Sequence, residues 1–141
     1  MKLNKPEDLM KIKKQGMDLL SPGNTRITVG AATCGNAKGA AKIIETLKYQ
    51  IKKQKIKADV VKVGCNGMCY AEPIVEVISS GKPRITYGNI TAENVDQIVK
   101  AVSTGKPAAD LALMRCDEEK SAVTSDVIKY TKGKAPKSWR R

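Results

Sequence analysis

Four cysteines and no histidine define the chemistry open to this chain of 141 residues. Three of the thiols fall into two groups, one alone in Thr33-Cys34-Gly35 and a pair in Gly64-Cys65-Asn66-Gly67-Met68-Cys69. Thiolates are soft ligands, so three that converge can hold a soft metal or an iron–sulfur cluster. The lack of histidine excludes Ser-His-Asp and Cys-His catalytic units and every imidazole metal site. Structural zinc on three cysteines and a borrowed fourth ligand is a competing use. A dithiol redox centre normally places two cysteines together at a helix start, and Cys34 stands alone, which disfavours disulfide exchange; a Cys65–Cys69 bridge can still form on oxidation. The remaining thiol, Cys116 in Leu113-Met114-Arg115-Cys116-Asp117-Glu118, completes a ligand set only if the C-terminal segment folds back over the others. Otherwise it acts as an ordinary thiol or a small apolar contact.

The chain must bring these groups together. Each follows a short β-like run, Arg26–Ala31 for the first and Asp59–Val63 for the second, with a helical pattern between them from about Asn36 to Gln54. Ala37, Ala40, Ala41, Ile44, Leu47 and Ile51 recur at helical spacing, while Lys38, Lys42, Glu45 and Lys52 take the other face. A strand, helix, strand unit of this length favours parallel pairing through a right-handed crossover. Both cysteine loops then leave the same carboxyl-terminal edge of one sheet.

The remaining elements follow from periodicity and turn chemistry. Ile74–Ile78 and Arg84–Tyr87 read as strands joined by a hairpin through Ser79-Ser80-Gly81-Lys82-Pro83. Thr91 reads as the N-cap of a last helix with Val95, Ile98, Val99 and Val102 on its buried face and Gly105 at its end. Ahead of the sheet, Pro6–Leu20 reads as a helix with Glu7 and Asp8 in its first turn, ended by Ser21-Pro22-Gly23-Asn24. The order predicts an α/β fold. It divides into a helical extension over 1–24, a central domain over 25–107 and a basic extension over 108–141, with a short helix over Ser121–Tyr130.

Composition narrows the function classes. No apolar run approaches the ~20 residues that span a bilayer, and the charged start Met1–Pro6 lacks a signal-peptide core. The expectation is a soluble, cytoplasmic protein without membrane insertion. The net charge of +12 reads either as attraction to an anionic partner or as a solvated lysine-rich surface. Aromatic residues make up only 4% and phenylalanine is absent, so base stacking has few side chains to use; nucleic acid is not an expected partner. No glycine-rich nucleotide motif occurs.

With these motifs in this order, the chain resembles the thioredoxin-like [2Fe-2S] ferredoxin domain of NADH-linked flavoprotein subunits, found in complex I relatives and in NAD-linked and electron-bifurcating hydrogenases. The resemblance rests on Val29-Gly30-Ala31-Ala32-Thr33-Cys34-Gly35-Asn36-Ala37-Lys38-Gly39-Ala40 and on Gly64-Cys65-Asn66-Gly67-Met68-Cys69-Tyr70-Ala71-Glu72-Pro73. Tyr87-Gly88-Asn89-Ile90 and the Val95–Gly105 helix also fit, giving coverage of about residues 26–107.

The resemblance implies a thioredoxin-like β-α-β-β-β-α mixed sheet flanked by helices. It also implies a [2Fe-2S] cluster on Cys34, Cys65 and Cys69, and a non-catalytic electron-transfer role beside a flavin/NADH-binding subunit or an acidic electron-transfer protein. Gly35, Gly64 and Gly67 then let the backbone approach the inorganic core and aim N–H groups at sulfur. Such a cluster normally takes four cysteines. Relatives place the second ligand a few to a dozen residues after the first; here that stretch has none, and Gly39 stands at the shorter spacing. A cluster-free adaptor that docks a partner subunit is the alternative.

Overall fold

The computed structural model describes residues 5–20, 23–120 and 127–129. Its first helix, α1 (Pro6–Leu20), lies where expected, and Leu9, Met10 and Ile12 on it are exposed. Strand β1 (Thr25–Gly30) follows. The helical stretch expected as one element is divided into α2 (Thr33–Ala37) and α3 (Ala40–Lys53). The break falls at Gly39, whose φ of +89° belongs to the left-handed region that suits glycine and interrupts a right-handed helix.

Strand β2 (Ala58–Val63) lies parallel to β1 with Gly30 opposite Val63, as the crossover argument requires. Strands β3 (Val75–Ile78) and β4 (Arg84–Tyr87) form the expected antiparallel hairpin, and β3 also pairs antiparallel with β1. Helix α4 spans Val95–Thr104 and ends on Gly105. It begins later than the Thr91 cap implied, because Thr91–Asn94 forms a separate turn: Thr91 N–H donates to Asn94 Oδ1 at 2.8 Å and Glu93 N–H to Thr91 Oγ1 at 3.3 Å. Thr91 thus caps this turn rather than the helix.

The sheet extends past the expected domain end at residue 107. Strand β5 (Ala112–Cys116) pairs antiparallel with β4, giving the five-stranded order β2-β1-β3-β4-β5. That boundary is corrected by packing: Ala108, Leu111 and Ala112 lie against the core, and Gly88 N–H donates to the Leu111 carbonyl at 3.1 Å. The sequence conceals this strand because Leu113 and Met114 are both exposed, so burial does not alternate along it. Beyond it, β6 (Glu118–Lys120) and β7 (Val127–Lys129) pair with each other. Val127–Lys129 is therefore strand where a helix was expected; residues 121–126 and 130 of that expectation lie outside the described residues.

Ile27, Val29, Val75, Val77, Ile85 and Tyr87 point to one sheet face and meet Ala40, Ile43, Leu47 and Ile51 of α3 and Val95, Ile98 and Val99 of α4. Each large apolar side chain fully buried here contributes roughly 1.5–3 kcal/mol. This core fixes β1, β2 and α3, and hence the loops at their ends. Among the described residues no helix is long and apolar enough to cross a membrane.

Candidate metal centre

Parallel pairing of β1 and β2 places the chain exits after Gly30 and Val63 side by side, and Ala31 N–H closes the pair on the Val63 carbonyl at 3.0 Å. The first exit turns at once into α2, which carries Cys34 half-buried in its first turn. Asn36 Nδ2 donates back to the Ala31 carbonyl at 2.8 Å and ties the helix to the strand end. The second exit forms the 64–68 loop, exposed except for half-buried Met68, and a short 3₁₀ turn, Cys69–Ala71.

The three sulfurs of Cys34, Cys65 and Cys69 are brought together. Cys65 and Cys69 Sγ are 3.6 Å apart. Hydrogen bonding that holds the Cys69 proton against the Cys34 and then the Cys65 sulfur, followed by repulsion from the charged forms of both, pushes the Cys69 thiol up to about 11. Like charges crowd in this trio when it ionises, and a bound cation reverses that penalty. Gly67 N–H reaches Cys65 Sγ at 3.2 Å. The sulfurs are neighbours rather than a closed coordination sphere: among the described residues no set of three or more His, Cys, Asp or Glu side chains is poised to hold a metal ion.

The three glycines occupy different settings. Gly35 is buried, and a Cβ there would collide with the Gly30 carbonyl and approach Glu72 Oε2 to 3.2 Å. Its close approach is thus to protein, in support of the Cys34 turn. Gly67, at φ +91°, and Gly64 both face open space on the cysteine loop.

Cys116 lies at the opposite end of the sheet. Strand β4 runs in the direction of β1 and β5 runs against it, so Tyr87 and Ala112 sit at the cysteine end while Cys116 faces Arg84 at the other. Its Sγ donates to the Glu118 carbonyl at 3.0 Å. The fold-back needed for Cys116 to join the other thiols does not occur.

One residue of the site carries more than sequence reasoning gave it. In the sequence Glu72 is only one position of the second cysteine motif, next to Pro73, yet it is 1% exposed. Its Oε2 accepts the Ile74 N–H at 2.8 Å, and its Oε1 has no hydrogen-bond partner among the described residues. The carboxyl fills the space left by the absent side chain of Gly30, where a Cβ would come within 2.8 Å of it. The sequence carries no local signal for this role, because Glu72 meets Gly30 and Gly35 only through the fold.

A basic rim borders the centre. Lys38 Nζ donates to the Cys69 and Tyr70 carbonyls, both at 3.4 Å, and Tyr70 is 75% exposed. Lys38 and Lys42 line a cavity of about 340 Å³ together with Gly39, Glu72, Asn89 and Thr91.

Comparison with known proteins accords with this geometry. A family profile described as thioredoxin-like [2Fe-2S] ferredoxin matches residues 17–103. The chain is 29% identical over 105 residues to the NADP-reducing hydrogenase subunit HndB of Solidesulfovibrio fructosivorans, covering 72% of this chain and 83% of that protein. It is 33% identical over 67 residues to a 2Fe-2S ferredoxin of Clostridium pasteurianum, covering 46% of this chain and 63% of that one. The thioredoxin-like [2Fe-2S] ferredoxin structure from Aquifex aeolicus superposes with a TM-score of 0.57 at 19% identity, over 64% of this chain and 91% of that one; the shared feature is the fold.

Proposed function

Because the chain belongs to the thioredoxin-like [2Fe-2S] ferredoxin family, we propose that it serves as the iron–sulfur electron-transfer module of an NADH/flavin-linked oxidoreductase or hydrogenase complex. The observation that carries this reading is the meeting of Cys34, Cys65 and Cys69 at one sheet end in a chain without histidine. The donor set fits the group: it is all thiol, and thiolate is the ligand such clusters take. Cys34, Cys65 and Cys69 would hold the cluster, with Gly64 and Gly67 leaving the exposed loop free to close on it. The bound cluster supplies one-electron storage at modest reorganisation.

The chain's own residues supply the rest. The Cys34 turn is braced by Asn36 and by packing of Gly35 on Gly30, which fixes one ligand relative to the core. The Gly67 N–H on Cys65 sulfur withdraws electron density from that ligand. Lys38 and Lys42, exposed at the rim, favour an acidic partner surface such as that of a flavin/NADH-binding subunit. Lys52 stands ten residues further along α3 than Lys42, about 15 Å away, and adds to the basic face rather than to the rim.

Anaerobic reconstitution with iron and sulfide tests the reading. The expected product contains iron and sulfide in equal amounts and gives an EPR signal on one-electron reduction, and Cys69→Ser loses both. A chain that folds normally but retains no iron overturns the cluster role and favours the adaptor that merely docks a partner.

A further inference from the structure

A second cavity, of about 300 Å³, opens between the β3–β4 hairpin, the end of α4 and strand β5, and none of Cys34, Cys65 and Cys69 lines it. Its walls are chiefly apolar, with Val77 and Ile85 from the sheet and Ala101 and Val102 from the helix. Small residues at Ala101, Gly105 and Ala109 leave the space beside the sheet unfilled.

Three polar side chains complete the lining, and each has a proton to give. Tyr87 is 1% exposed, and its hydroxyl oxygen accepts the Ala108 N–H, which leaves its own proton to donate. Burial pushes this phenol above its ordinary value, so it stays neutral near pH 7. The Lys82 ammonium lies against Gly105, where a Cβ would come within 2.6 Å of Nζ. Gly105 caps α4, which has no basic residue in its last turn, so the carbonyl end of the helix holds this ammonium beside the cavity. Arg115 gives Nε and Nη2 to Asp117 Oδ1 at 3.0 and 2.7 Å, which offsets its charge. Among the described residues no carboxylate lines the cavity. Lys82 is thus its one uncompensated charge.

We propose that this cavity binds a small monocarboxylate with an apolar body, of the medium-chain fatty acid type. The hydrocarbon lies along the aliphatic walls, and the carboxylate meets the Lys82 ammonium and the Tyr87 hydroxyl. Gly105 and Ala108, which these two groups touch, belong to one short stretch of chain. A buried hydroxyl favours an acceptor for its proton, and a ligand carboxylate provides one. One cation matches one carboxylate, and the volume, at the lower end of small-molecule sites, sets the size. The site is independent of the cluster reading, because neither its walls nor its test involves the three thiols.

Octanoate is the probe, with octanamide as its uncharged isostere. Isothermal titration of the full chain should show saturable binding of one octanoate, about fivefold tighter than octanamide. Lys82→Gln should weaken octanoate about fivefold and leave octanamide unchanged, and Tyr87→Phe should weaken octanoate by a similar factor. In amide NMR spectra the signals that shift should include Tyr87, Ala101, Gly105 and Ala109. Ala101→Leu, which fills the space, should abolish binding.

Absence of saturable octanoate binding overturns the proposal. So does equal affinity for octanoate and octanamide, or undiminished octanoate affinity in Lys82→Gln. Shifts confined to Lys38, Lys42 and their neighbours would mean simple pairing with surface lysines and would overturn it too. Binding retained in a folded Ala101→Leu places the ligand elsewhere; should that variant not fold, the exposed Lys82→Gln decides the matter.

Discussion

The two cysteine loops leave neighbouring parallel strands, yet they are built differently. The Cys34 loop turns into a helix at once and is held from three sides: by the Asn36 bond to Ala31, by buried Gly35 against the Gly30 carbonyl, and by the Glu72 carboxyl behind both. The Cys65–Cys69 loop projects into solvent, and its described hydrogen bonds are mostly local, such as Met68 N–H to Asn66 Oδ1 at 3.1 Å. Lys38 is its polar tether to the helical side. One ligand is therefore set by the core, while the other two ride on a segment that can adjust around what they bind. A site organised this way has its position encoded in packing and its closure left to the ligand.

The contrast predicts opposite sensitivities to the smallest side chain. Gly35→Ala forces a methyl group into the Gly30 carbonyl and the Glu72 carboxyl, and overpacking of this kind costs about 2–3 kcal/mol. Gly64→Ala meets nothing within 4 Å and should stay within about 0.5 kcal/mol of the parent protein. Urea midpoints of the metal-free proteins measure both. Similar values at the two positions would mean that the loops are equally supported, and the contrast would fail. Lower iron content in Gly64→Ala at unchanged stability would in turn support a place for that glycine beside the cluster.

A smaller effect is expected at Glu72, which braces the first loop from behind. Glu72→Ala leaves the buried Ile74 N–H without its acceptor and opens space against Gly30 and Gly35. The loss of a buried acceptor alone costs about 1–3 kcal/mol. Glu72→Gln keeps an acceptor oxygen for Ile74 and should lose less. If both variants unfold at the parent midpoint in urea, Glu72 is not the brace described here.

The sequence was legible where one physical signal sufficed. Period-two and helical patterns located β1 to β4 and the buried stripes of α3 and α4, and crossover handedness put Cys34 and Cys65 at one sheet edge. It was less legible where two signals compete. Gly39 divides a continuous helical stripe through its backbone angle, which hydrophobic periodicity does not register. Strand β5 carries its apolar residues outward at the sheet edge, so it reads as part of a tail although it pairs with β4. Within the site, cysteine identity and spacing single out Cys34, Cys65 and Cys69 as the candidate ligands. The role of Glu72 and the remoteness of Cys116 depend on contacts between distant residues, and strand order decides them.

The smallest expected effect concerns the protons of the exposed loop. In the metal-free chain the Cys69 thiol is pushed up to about 11 from an ordinary value of 9.0, first by hydrogen bonding to Cys34 and then to Cys65. The unfolded chain sheds this proton earlier than the folded one, so above pH 9 the folded state binds more protons. Folding stability from this group is therefore complete below about pH 9 and is lost as pH rises toward about 11. Because Cys69 is exposed, the change in stability is slight and alkylation rate is the better readout. The rate at Cys69 should keep rising up to about pH 11, whereas in Cys34→Ser it should level off at lower pH. An unchanged profile in Cys34→Ser would mean that the braced loop does not reach the adjustable one, and the trio would reduce to the local Cys65–Cys69 pair.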